Sequence, residues 1–267
     1  MRLSEARARL AAAGIENAAH EARELFAHFG GYAAAELFAA DPCCDEPTLC
    51  AAIERRACRE PLQYIIGRVF FFDEVYRVSP DCLIPRPDTE LLVEIAVEKL
   101  PQGAHFADFC TGSGCIAIST LAHRPDATAL AVDISRAALS LAEENARANG
   151  VSDRLALCTA DLLKESVDGE FDAILCNPPY IRTDVMNTLA PELMHEPRIA
   201  LCGGDDGLIF YRRLLGTYAD RLRAGGFFLF EIGYDQAEEL CALARAHRRE
   251  IEIFKDFGGN DRVALVR

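Results

Sequence analysis

Phe171-Asp172-Ala173-Ile174-Leu175-Cys176-Asn177-Pro178-Pro179-Tyr180 is the stretch on which the reading of the chain turns. Its first six residues are an apolar run with the length of a short strand buried on both faces, as in a parallel sheet. The polar turn then falls at the C-terminal end of that strand, where open α/β sheets bind their ligands. Each proline fixes its own φ and biases the residue before it towards extended geometry. Asn177 is thereby held with its side-chain amide towards the crevice. Taken alone, the four residues read more readily as a rigid proline turn, and the neighbouring segments decide between the two.

Upstream, strands and helices alternate, which means a parallel sheet with crossovers. A strand is expected over Ala104–Cys110. Thr111-Gly112-Ser113-Gly114 then turns into a helix at Cys115. Two glycines let a ligand approach the backbone, and the helix start offers amides to it. A second strand, Thr128 to Val132, ends at Asp133, which lies 19 residues after Gly114. That is close to the spacing at which a carboxylate meets ribose hydroxyls. Ser135 caps the next helix and Gly150 stops it. A third strand, Leu155 to Thr159, ends at Ala160-Asp161, whose carboxylate suits an exocyclic amine such as that of adenine. Gly112-x-Gly114-x-x-Ala117 also fits a dinucleotide fingerprint, so the glycines alone leave a nicotinamide oxidoreductase open. A nicotinamide enzyme has no particular use for Asn-Pro-Pro-Tyr after the fourth strand, whereas an enzyme that methylates a planar amine does.

The reason is chemical. The lone pair of an amide or aniline-like nitrogen is delocalised, so the nitrogen is a poor nucleophile. The Asn177 side-chain oxygen and the Pro178 carbonyl are two acceptors for its two N–H groups. They would position it and favour the positive charge that grows on it during methyl transfer. Tyr180 is suited to pack on the planar group. No general base is needed, because the cationic nitrogen becomes strongly acidic as the bond forms. His105, His123, His195 and His247 are therefore read as structural or surface residues.

The segment before this sheet is different. Residues 1 to about 60 read as helices: one stripe of Leu3, Ala6, Leu10 and Ala13 ended by Gly14, a second helix capped by Asn17 and stopped at Gly30-Gly31, then Tyr32–Ala40 and Pro47–Cys58. Residues 59–67 end the helical part. Val69–Phe72 and Val75–Val78 read as a β-hairpin, taken as a linker over residues 69–80 between a helical domain of 1–68 and a larger domain of 81–267. Leu83-Ile84-Pro85-Arg86-Pro87-Asp88-Thr89-Glu90 admits a helix only from Pro87. It reads as a solvated loop or an active-site lid in which Arg86 meets a carboxylate. Downstream come a helix over Leu208–Leu222, a turn at Gly225-Gly226, a strand over Phe227–Ile232, a helix over Asp235–His247, and two strands, Ile251–Lys255 and Val263–Val266.

The composition, 51% hydrophobic and 26% charged over 267 residues, is that of a globular chain. No apolar run nears the roughly 20 residues that span a bilayer, and the N-terminus has no signal-peptide pattern. A cytoplasmic, monomeric protein without membrane contact is expected. The net charge of −14 argues against a stable nucleic-acid complex. The eleven cysteines include no Cys-x-x-Cys pair and lie mostly in apolar runs, so they read as reduced packing residues, with no metal site.

With these residues quoted, the chain resembles the S-adenosylmethionine-dependent methyltransferases that carry Asn-Pro-Pro-Tyr, and more narrowly the HemK/PrmC family of release factor glutamine methyltransferases. The likeness runs from about Arg59 to Arg267. It rests on Glu60–Gly67, Leu83–Glu90, Asp108–Ala117, Asn177–Ile181, Glu196–Leu201 and Gly204–Leu208. Asn-Pro-Pro-Tyr is shared with DNA amino-methyltransferases, and Pro85-Arg86-Pro87-Asp88-Thr89-Glu90 is the more specific element. The resemblance implies an α/β fold, a seven-stranded Rossmann-like class I methyltransferase sheet preceded by a small helical domain. It implies methylation of the side-chain N5 of the glutamine in the Gly-Gly-Gln motif of class 1 peptide chain release factors. The implied cofactor is S-adenosyl-L-methionine, held by Cys110, Thr111, Gly112, Ser113, Gly114, Asp133, Asp161 and Leu162, with Asn177 between cofactor and substrate. Asn177, Pro178, Pro179 and Tyr180, with Arg86, would hold the glutamine. Two positions depart from the family pattern: Cys110 replaces the first glycine of the loop, and Leu162 stands where some members have an aromatic residue. The competing readings are a DNA adenine-N6 methyltransferase and a silent adenosine-ligand sensor.

Overall fold

The computed structural model describes all residues, Met1–Arg267, and the chain divides into two compact units. The smaller comprises Met1–Arg68 with Ala190–His195, and the larger Val69–Leu189 with Glu196–Arg267.

In the smaller unit, helices α1 (Leu3–Ala12), α2 (Ala18–Gly30), α3 (Ala34–Ala39) and α4 (Pro47–Ala57) enclose Leu10, Leu25, Phe26, Leu49 and Ile53. The breaks fall where the sequence places them: Gly31 takes the left-handed conformation that closes α2, and Pro47 occupies the first turn of α4. Asn17 precedes α2 but makes no side-chain cap to it. Residues 62–66, expected only to end the helical part, form a further short helix, α5 (Leu62–Ile66), closed by left-handed Gly67. Its Leu62 and Ile65 join the same core, so burial rather than propensity makes the turn. The segment from 190 to 195 is held here by Glu192. Its carboxylate receives hydrogen bonds from Arg56 (3.1 Å) and Arg59 (2.8 Å), and Arg56 also binds Glu21.

The larger unit begins with the hairpin β1 (Arg68–Phe71) and β2 (Glu74–Arg77), reversed at Phe72 with φ of 57°. Phe71 and Tyr76 are buried in the core of this unit, so the hairpin is packed into it rather than standing free as a linker. There follow α6 (Glu90–Lys99), β3 (His105–Phe109), α7 (Cys115–His123), β4 (Thr128–Asp133), α8 (Arg136–Ala148), β5 (Leu155–Thr159) and β6 (Phe171–Cys176). The chain ends in α9 (Ile209–Tyr218), β7 (Leu222–Glu231), α10 (Ala237–Ala246), β8 (Ile251–Lys255) and β9 (Asp261–Val266). The seven longer strands make one sheet in the order β5-β4-β3-β6-β7-β9-β8, parallel from β5 to β7, with β9 antiparallel to both β7 and β8.

Both faces of this sheet are covered. Ala173 and Leu175 of β6 point into one core with α6 and α7, while Ile174 and Cys176 point into the other with α9 and α10. The strand expected from Phe227 starts earlier, at Leu222. Phe171 pairs with Leu222 but Ala173 with Phe227, so β7 bulges by three residues there, around Gly225 with φ of 81°. The Gly225-Gly226 turn of the sequence reading is therefore a bulge inside a strand.

Register aligns the functional ends. Phe109 is opposite both Val132 and Cys176, so the residues after them, Cys110, Asp133 and Asn177, leave the sheet side by side. Strand order reverses between β3 and β6, the switch point at which open α/β sheets form a crevice.

Candidate active site

A cavity of about 290 Å³ opens over these strand ends. Cys110, Thr111, Gly112 and Ser113 line one side, and Asp133, Asp161 and Leu162 continue it. The loop folds back through three left-handed residues, Cys110 (φ 59°), Gly112 (φ 55°) and Gly114 (φ 83°). Gly114 does not line the cavity. A Cβ there would come within 2.8 Å of Ile118 and 3.1 Å of Ala142, so its bareness lets α7 pack on α8. The loop is pinned from below by Asp108, which accepts from the Thr111 hydroxyl (2.5 Å) and the Ala117 amide (3.2 Å). Asp108 is wholly buried, and burial pushes its carboxyl up to about 7.

Asp133 accepts from the amides of Gly112 (2.9 Å) and Ser135 (2.8 Å), one on each oxygen. A carboxylate has about four acceptor positions, so each oxygen retains one for a pair of neighbouring hydroxyls. Burial raises its carboxyl above the usual range. Asp161 accepts from the Leu163 amide (3.1 Å) and pairs with exposed Lys164 (2.8 Å), which holds its carboxyl low. The buried side chain of Leu162 lines the same cavity. Two acids and an apolar side chain in one cavity with a loop that carries a bare glycine fit an adenosine-containing ligand such as S-adenosylmethionine.

Asn177 and Pro179 line the other side, while Pro178 and Tyr180 do not. The Asn177 Nδ2 donates to Thr89 Oγ1 (3.2 Å). Thr89 donates in turn to Glu231 Oε2 (2.5 Å), whose other oxygen accepts from the Tyr180 hydroxyl (3.1 Å). Asn177 Oδ1 and the Pro178 carbonyl accept no hydrogen bond within the chain. The Tyr180 ring is packed into the core against α9, so it anchors the turn from behind.

The PrmC N-terminal domain model matches residues 2–67 and the methyltransferase small domain model residues 87–218. The release factor glutamine methyltransferase of Caulobacter vibrioides is 40% identical over 97% of this chain and 93% of its own length. That of Cereibacter sphaeroides is 42% identical over 97% and 94%. The chain belongs to the release factor glutamine methyltransferase family. The fold agrees with a methyltransferase from Pyrococcus furiosus, at a TM-score of 0.54 and 18% identity over 72% of this chain and 86% of that one.

Two partnerships in this methyltransferase were not read from its sequence: which carboxylate Arg86 meets, and what stands behind Asn177. Arg86 lines the cavity, but its guanidinium is already ion-paired with Glu196, whose other oxygen accepts from the Ile84 amide (3.0 Å). Glu196 is buried, so it ties the Pro85-Arg86-Pro87 loop to the segment that supplies Pro197 and Ile199 to the cavity. Asn177 is also joined to Thr89 and, through it, to Glu231, which no spacing rule connects. The available signal was a lone carboxylate, Glu231, inside the apolar run Phe227–Ile232. No histidine lines the cavity; His105 stacks on Phe171 and His123 meets Asp73.

Proposed function

We propose that this enzyme transfers a methyl group from S-adenosyl-L-methionine to the side-chain N5 of the glutamine in the Gly-Gly-Gln motif of class 1 peptide chain release factors. The observation that carries the reading is Asn177 at the edge of the cavity, with its amide oxygen and the adjacent Pro178 carbonyl both free of partners within the chain. Two unpartnered acceptors on adjacent residues suit a primary amide, which has two N–H groups to give.

When bound, S-adenosyl-L-methionine supplies an electrophilic methyl group on a sulfonium centre. Asp133 would hold ribose hydroxyls, and Asp161 with Leu162 would hold the adenine. The loop from Cys110 to Ser113 approaches the rest of the ligand through its backbone. Asn177 and the Pro178 carbonyl hold the glutamine nitrogen in line and stabilise the positive charge that develops on it. Both prolines contribute by stiffness: the turn keeps its two acceptors aimed without reorganising during the reaction. Tyr180 fixes the turn through Glu231.

The test is methyl transfer from labelled S-adenosyl-L-methionine, offered to a purified release factor, to the same factor with its Gly-Gly-Gln glutamine substituted, and to duplex DNA. Label on the intact release factor alone is the expected result. Label on DNA would assign the enzyme to the nucleic-acid methyltransferases.

A further inference from the structure

A threonine hydroxyl carries one proton, and its direction decides what Thr89 offers to Asn177. Thr89 stands between Glu231 at 2.5 Å and Asn177 at 3.2 Å, and both Thr89 and Glu231 are buried. An ionised carboxylate only accepts. Glu231 takes the protons of Thr89 and Tyr180, one on each oxygen. The remaining capacity of Thr89 Oγ1 is as an acceptor, so Asn177 must turn its NH2 end towards it. The oxygen end is then the one left to the cavity. With a proton donor in place of the Glu231 carboxylate, the Thr89 proton would be released towards Asn177. The amide would flip and present NH2 to the cavity, where it would oppose the N–H groups of an incoming amide. Burial raises the Glu231 carboxyl above its ordinary value, and the hydrogen bonds from Thr89 and Tyr180, with the Arg262 guanidinium, act against that rise in favour of the charged form.

We propose that Thr89 and Glu231 are positioning residues that set which end of the Asn177 amide faces the substrate. The inference rests on the amide-clamp reading of Asn177 above. It joins Pro85-Arg86-Pro87-Asp88-Thr89-Glu90 to Asn-Pro-Pro-Tyr by one proton direction, across 88 residues of sequence.

The experiment compares kcat, KM for the release factor and calorimetric affinity for S-adenosyl-L-methionine in Thr89→Val, Thr89→Ser, Glu231→Gln and Asn177→Ala. Thr89→Val keeps the volume and removes the hydroxyl; Glu231→Gln replaces one of the two carboxylate acceptors that serve Thr89 and Tyr180 by an NH2 donor. Both are expected to lower kcat by about ten- to a hundredfold, with cofactor affinity within about threefold of the parent. Thr89→Ser restores the hydroxyl and should recover kcat to within about threefold. The double variant Thr89→Val/Glu231→Gln should be no slower than the slower single variant, because the two act through one bond chain. Should Glu231→Gln fail to fold, the Val/Ser pair at Thr89 decides alone. Parental kcat in Thr89→Val, or a Thr89→Ser enzyme as slow as Thr89→Val, would overturn the inference. If Asn177→Ala is inactive while Thr89→Val is fully active, only the relay fails. If Asn177→Ala itself turns over normally, the amide-clamp reading fails and takes the relay with it.

Discussion

Cys110 holds a φ of 59°, a conformation that costs an L-residue roughly 1–2 kcal/mol and glycine almost nothing. Cys110→Gly relieves this strain but gives the unfolded chain more freedom, an offset of about 0.5–1 kcal/mol. The variant should therefore keep its unfolding free energy, measured with urea, to within about 1 kcal/mol of the parent. Cys110→Val places a branched side chain in the same conformation and should lose about 2 kcal/mol or more. Asp108 gives a pH dependence with a definite sign. Its carboxyl lies at about 7 in the folded chain against an ordinary 3.8, so between these values the folded state binds the extra proton. Stability should fall as pH rises through that window, by up to about 4 kcal/mol at roughly 1.4 kcal/mol per unit. Asp108→Asn retains an acceptor for Thr111 and Ala117 and should flatten this part of the curve, measured by urea unfolding between pH 4 and 8. At this scale the sequence was legible where the place of one residue suffices: Asn177, expected at the crevice, lines the cavity, and Cys110, which by resemblance replaces a glycine, takes a glycine-like φ. It was illegible for Thr89 and Glu231, whose roles arise from a contact between residues 142 apart.

The turn after β6 is shaped by a second turn pressed against it. Gly203 and Gly207 pack on the backbone of Pro179 and Tyr180, and the Gly203 amide donates to the Ile181 carbonyl (2.8 Å). Gln236, next to α10, donates to the carbonyls of Tyr180 (3.1 Å) and Gly207 (3.3 Å). A Cβ on Gly207 would lie 2.3 Å from the Tyr180 oxygen, and its φ is 74°. Gly207→Ala must therefore displace the turn that carries Asn177. It is expected to cost about 2–3 kcal/mol and to lower kcat well beyond what its melting temperature explains. A thermally stable Gly207→Ala enzyme with parental turnover would contradict this. Elements were legible wherever apolar runs and breakers agree, as in β3, β4, β5 and β6. The start of β7 was not, because Leu222-Arg223-Ala224-Gly225-Gly226 carries no strand pattern and becomes extended through pairing around a bulge.

The two-unit organisation was legible in outline, since residues 1–68 read as helices and the rest as alternating strand and helix. What could not be read was the membership of 190–195 in the smaller unit, which depends on Glu192 meeting Arg56 and Arg59, more than 130 residues earlier. Arg56 is buried and is the cation shared by Glu21 and Glu192. Removing one member of a buried ionic group leaves the others uncompensated, at a cost of about 3–5 kcal/mol. Arg56→Met should therefore open the smaller unit first, seen as faster proteolysis within residues 1–68 while the larger unit still resists.

β9 lies inside the sheet, between β7 and β8, and it comes from residues 261–266. The five parallel strands can pair without it, but β7 keeps a bare edge, and β8 has nothing to pair with, until β9 is in place. A chain interrupted between Glu231 and Asp261 would carry every cavity residue yet expose an apolar strand edge, a species for chaperones and proteases to clear rather than a weakened enzyme.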